Sequence, residues 1–208
     1  MNHSFSKCKL ILIALITVFS FSLEAQNVTD EVAKIKNWFT EIVNNPTKYP
    51  QKEFSNFLYI DGSNVTVSCS KDNVSNQIVL ISTNGNSDWV EHTTDYYFKN
   101  GILFFVFETG YTIKEWATHK DLGITEEELD VIGGAPKLLE HYEHRIYFSN
   151  QTCIRYLEKK EVRKATDYEN DMSDVSNQTL DASLIDFSTY KTDAQVFLDF
   201  IKAEEAKQ

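Results

Sequence analysis

Tyr96-Tyr97-Phe98-Lys99-Asn100-Gly101-Ile102-Leu103-Phe104-Phe105-Val106-Phe107-Glu108 says more about the architecture than any other stretch of this chain. Asn-Gly between two aromatic and β-branched runs is the strongest short-range hairpin signal, because a type I′ turn needs positive φ at both central residues. The returning run is apolar on both faces. Strict alternation puts Leu103, Phe105 and Phe107 on one side and Ile102, Phe104 and Val106 on the other, the pattern of a central strand covered on both sides.

Towards the N-terminus, strands are expected over Phe54 to Ile60, Val65 to Cys69 and Gln77 to Ser82, with turns at Asp61-Gly62-Ser63-Asn64 and Thr83-Asn84-Gly85-Asn86. A polar strand follows from Trp89 into the aromatic run. Before them, Val28, Val32, Ile35, Phe39 and Ile42 recur at steps of four and three, which predicts a helix over 27–45 that Pro46 ends. Towards the C-terminus, Tyr147-Phe148-Ser149-Asn150-Gln151 repeats Tyr97-Phe98-Lys99-Asn100-Gly101 at an offset of 50, and Glu158 matches Glu108. Two related hairpins are the reading.

Residues 117–140 interrupt the strands, with a capping-box pattern Thr125-Glu-Glu-Glu128 that predicts one or two short helices. Lys164 to Ser176 is acidic and without period, the composition of a mobile link. Val196, Phe197, Phe200 and Ile201 predict a last helix over about 192–206. The expected fold is α+β: an antiparallel β-meander sheet with an N-terminal helix packed on it and a C-terminal helix. Its parts are a leader over 1–25, a domain over 26–163, an acidic link over 164–191, and a helix over 192–208 that docks on the domain or leaves that face to a partner.

The leader is a secretory signal peptide: Lys7 and Lys9 precede an apolar run from Leu10 to Leu23, with a small-residue exit at Ala25. The run is shorter than the roughly 20 residues a spanning helix needs, so the expectation is an exported, secreted or periplasmic protein with no membrane span after cleavage. The whole chain carries 20 Lys and Arg against 31 Asp and Glu, a formal charge of −11. Cleavage takes Lys7, Lys9 and Glu24 with it, leaving 18 against 30. Such a balance argues against nucleic acid as a partner, since no cationic excess is available to displace phosphate counterions. Cys69 and Cys153 survive in strand-like runs. In an oxidising compartment they could pair, or remain two buried thiols.

Further residues resemble a family. The exit Ala25-Gln26, the helix with Ile35-Lys36, the Tyr97 to Phe104 hairpin and the later Glu143-His-Arg145-Ile-Tyr147-Phe148-Ser-Asn150 hairpin resemble uncharacterised small secreted proteins common in Bacteroidetes. The resemblance implies an exported α+β domain with an antiparallel sheet. It carries no activity or catalytic residues.

Trp89, Tyr96, Tyr97, Tyr111 and Trp116 are the candidate ligand-binding residues, as a platform on which a sugar could stack. His141-Tyr-Glu143-His144 is the densest group of ligand-capable side chains, but on a strand His141, Glu143 and Arg145 face one way while Tyr142, His144 and Ile146 face the other. No nucleophile elbow, phosphate loop or Cys-x-x-Cys occurs, so no catalytic residue, metal ligand or cofactor is assigned. The expected function is a noncatalytic binding or interaction module with a protein or glycan partner. The competing expectations are a small hydrolase using acids or histidines, favoured if His141, Glu143 and another acid share a pocket, and an inhibitor or immunity-type protein for a basic partner.

Overall fold

Among the described residues, eight strands pair antiparallel in the order in which they occur along the chain. They are β1 (Gln51–Leu58), β2 (Asn64–Lys71), β3 (Ile78–Ser87), β4 (Val90–Lys99), β5 (Ile102–Trp116), β6 (Pro136–Ser149), β7 (Thr152–Lys164) and β8 (Gln178–Leu180). Helix α1 spans 27–43, α2 (His119–Leu122) and α3 (Glu126–Ile132) lie between β5 and β6, and α4 (Phe187–Glu205) follows β8. The computed structural model describes residues 27–58, 64–87, 90–166 and 171–207. The expected signal sequence and Trp89 lie outside them.

The central hairpin turns at Asn100 and Gly101, with φ of 53° and 75°, and its twin turns at Asn150 and Gln151, with φ of 50° and 62°. The likeness extends past the turns. Each hairpin shifts register at the same place, between Tyr97 and Phe98 and between Tyr147 and Phe148. The first shift corrects the strict alternation expected of β5: Leu103 joins Val106 on one face, while Phe104 and Phe105 both belong to the other. A bulge adds one residue to one strand and so reassigns the faces beyond it.

Both faces carry a core. Val32, Ile35 and Ile42 of α1 pack with Tyr97, Phe104, Phe105, Tyr147 and Leu157. Ala194, Phe197 and Ile201 of α4 pack with Val67, Ile81, Tyr96, Val106, Ile146 and Phe148. Helix α4 begins five residues earlier than its stripe suggested. Asp186 caps it by accepting from the Ser188 amide at 2.9 Å, and Phe187 and Tyr190 set their rings against Phe148 at centroid distances of 5.0 and 5.9 Å. Val196, expected in the buried stripe, is 41% exposed, and Ala194 takes its place. At the other end of α4, Lys71 Nζ holds both Glu205 carboxylate oxygens at 2.6 and 2.7 Å.

Three further elements differ from expectation. Asn84-Gly85 is no turn: Gly85 sits inside β3 opposite Val65 and His92, where an added Cβ would lie 2.3 Å from the His92 ring. This glycine serves close approach rather than chain reversal. Strand β6 starts at Pro136, inside the 117–140 stretch expected to interrupt the strands, because the connection is shorter than its composition suggested. Ala117 and Ala135 close it with a backbone hydrogen bond of 2.8 Å, and Thr118 and Thr125 each open a helix with a capping box. In the acidic segment, the described residues 171 and 172 are tied to β7: Met172 is buried, its carbonyl accepts from Lys159 Nζ at 2.6 Å, and the Asp171 carbonyl accepts from Arg163 at 2.7 Å.

Candidate functional site

Beside α1, over the C-terminal half of the sheet, lies a cleft of about 480 Å³, within the ordinary size range of small-molecule sites. Phe39 and Ile35 of α1, Phe105 and Phe107 of β5, Tyr147 of β6 and Leu157 of β7 give it an apolar lining. Lys36, Arg145, Arg155, Asn177 and Thr179 also line it, and among the described residues no carboxylate does. The geometry follows from the strands. Phe107 and Arg145 are directly paired, as are Phe105 and Tyr147, and Tyr147 and Arg155. All of these side chains therefore project to the α1 side.

The three cations are not equivalent. Arg145 is held on three sides: Nη2 lies 2.5 Å from Glu143 Oε1, Nη1 donates to Asn177 Oδ1 at 3.1 Å, and the guanidinium carbon stands 5.9 Å from the Phe107 ring centre. Arg155 and Lys36 have no carboxylate within ion-pair distance among the described residues. The cleft is thus locally cationic in a chain of formal charge −11.

On the opposite face, three strands bring together Glu108, His144 and Glu158, which sit in one row across β5, β6 and β7. His144 Nδ1 is 2.9 Å from Glu108 Oε2, and Nε2 is 3.2 Å from Glu158 Oε1. Burial opposes charging of the ring, yet hydrogen bonds and Coulombic attraction from Glu108 and then Glu158 outweigh it, and the His144 pKa is raised. Burial, reinforced by Glu158 and Glu108, pushes the Tyr156 phenol up to about 12. Burial and Glu108 raise Tyr190 of α4 as well. An imidazole with a carboxylate on each nitrogen has no free lone pair with which to accept a substrate proton. This row ties β5, β6 and β7 together beneath α4.

The sequence-derived candidates do not meet on one surface. Tyr96 is 5% exposed in the α4-side core and Tyr97 is 3% exposed in the α1-side core. Tyr111 packs its ring against His141 at 5.5 Å, and Trp116 is exposed at the end of β5. His141 is buried at 1% exposure beside that ring, on the Glu143 side of β6, and is not in the cleft lining. Of the acids near aromatics, Asp95 faces the α1 side with Tyr97 and Glu108 the α4 side, and Glu115 pairs with Lys137 at 3.0 Å. Cys69 and Cys153 are free and buried, on β2 and β7 with four strands between them. Among the described residues no group of three or more His, Cys, Asp and Glu side chains is arranged to hold a metal ion.

Neither the cleft nor the histidine row was legible as a site beforehand, since each joins residues from three or more elements. One signal did exist: at the offset of 50, Arg155 stands where the first hairpin has the buried Phe105. Compared with known proteins, the chain matches no family model, no curated protein and no solved structure. Among the described residues no helix is long and apolar enough to cross a membrane.

Proposed function

We propose that this is an exported, noncatalytic binding protein of the periplasm or cell exterior, and that its ligand seat is the cleft between α1 and strands β5 to β7. The observation that carries the reading is the cleft itself, an apolar floor with polar groups at its edge, the composition typical of small-molecule sites. Export rests on Lys7, Lys9 and the apolar run to Leu23, and it agrees with the resemblance to small secreted Bacteroidetes proteins. The noncatalytic reading is supported by His144, whose two nitrogens are both engaged by carboxylates.

Filling the cleft tests this. Thr40 lines it from an exposed position on α1, so Thr40→Trp should occupy the volume without disturbing the buried stripe of that helix. Native mass spectrometry of the protein recovered from the envelope should show a bound small molecule that the variant lacks. Turnover of chromogenic esters or glycosides, undiminished in Thr40→Trp, would instead establish a hydrolase working elsewhere on the chain.

A further inference from the structure

We infer that the cleft takes an amphipathic organic carboxylate, an aromatic or alkyl body ending in one anionic group, with Arg155 as the residue that reads the charge. This rests on the cleft being the ligand seat and adds the chemical class of the ligand. The argument starts from the duplicated hairpin. Tyr97 pairs with Phe105 in the first copy and Tyr147 with Arg155 in the second, at the same distance from the turn and from the bulge. In the first copy the position is core, 4% exposed. In the second it carries Arg155, a partly buried residue that lines the cleft. A half-buried guanidinium is costly unless something compensates it, and the described residues supply no carboxylate to Arg155. The neighbouring arginine shows the contrast: Arg145 has Glu143 and Asn177.

The lining defines the rest of the ligand. Phe39, Phe105, Phe107 and Tyr147 offer rings to a flat or flexible apolar body, and among the described residues no acid lines the cleft. Guanidinium matches carboxylate in a planar two-point geometry. Lys36, exposed on α1, adds a second positive charge at the edge of the cleft, of smaller effect because water screens it.

Calorimetric titration with 2-naphthoate and decanoate, against 2-methylnaphthalene and decanol as neutral counterparts, tests the assignment. The acids should bind at least tenfold more tightly than the neutral compounds. Arg155→Gln should remove that preference, and Lys36→Gln should reduce it about threefold. Arg155 has no ion-pair partner among the described residues, so the unliganded Arg155→Gln protein should melt like the wild type. Acids and neutral analogues binding alike, both blocked by Thr40→Trp, would overturn the carboxylate assignment and leave the cleft as the seat. Acid binding untouched by Arg155→Gln would also overturn it. If none of the four probes binds, both the assignment and the cleft reading fail.

Discussion

Gln151 holds, at φ 62°, the turn position that Gly101 holds at φ 75° in the equivalent hairpin. The two residues do the same backbone work at different cost, since left-handed backbone costs an L-residue with a Cβ roughly 1–2 kcal/mol and glycine almost nothing. Gln151→Gly should therefore stabilise the protein by about 0.5–1 kcal/mol in urea unfolding. Gly101→Val should destabilise it by about 1–3 kcal/mol. Equal unfolding midpoints for both variants and the wild type would show that these turns contribute nothing to stability.

His144 makes stability depend on pH. Its folded-state pKa is raised, so the stabilisation from the imidazolium is fully present below the ordinary histidine value of about 6.5. It is lost as pH rises through the raised folded-state value. His144→Gln should cost about 1.5–3 kcal/mol at pH 6, with the gap to wild type narrowing at pH 9. Urea curves at the two pH values check this, and a gap that stays constant would mean that His144 is not charged between its two glutamates.

Asp95 shifts stability with pH in the same sense, as a cost that appears when the carboxyl ionises rather than a gain that is lost. Burial pushes its carboxyl pKa up against the Ser82 and Tyr97 hydroxyls, and among the described residues its Oδ1 has no hydrogen-bond partner. A raised carboxylate pKa means no penalty below the unfolded value of about 3.9 and a growing one as pH rises through the folded value. Asp95→Asn should accordingly stabilise by about 1–2 kcal/mol at pH 7, and the advantage should vanish near pH 3. Thermal melts at both pH values measure it.

Helix α4 should be a structural part of the core. Phe197→Ala should cost about 3–5 kcal/mol, while Val196→Ala, at an exposed position, should stay within about 0.5 kcal/mol of wild type. Removing 189–208 should lower the melting temperature and expose a surface that binds a hydrophobic dye. A truncated chain that keeps its melting temperature and stays dye-free would refute this.

Export predicts a mature N-terminus at or near Gln26, read by intact-mass measurement of the envelope fraction. A protein that keeps Met1 there would refute cleavage.

Local chemistry made much of this architecture legible. Asn100-Gly101 and Asn150-Gln151 mark turns because few residues tolerate positive φ, Thr125 and Glu128 mark a helix start because each satisfies the other's backbone, and the stripe from Val32 to Ile42 faces one way because of helical period alone. Errors arose where a local signal had two meanings. Gly85 could permit a turn or a close approach, and only the His92 ring on the neighbouring strand distinguishes them. Alternation along β5 broke at a bulge whose position depends on pairing with Tyr97 and Phe98. The functional groups lay furthest out of reach. Glu108, His144 and Glu158 become neighbours through the register of three strands, and Lys36, Arg145 and Arg155 through the packing of α1 beside β6 and β7. By itself the sequence determined the turns at Asn100-Gly101 and Asn150-Gln151, the cap at Thr125, the apolar face of α1 and the repeated hairpin, because these depend on residues a few positions apart. Only the tertiary structure decided which charges meet a partner and which, like Arg155, face an open cleft, because that depends on what distant strands place within a few ångströms.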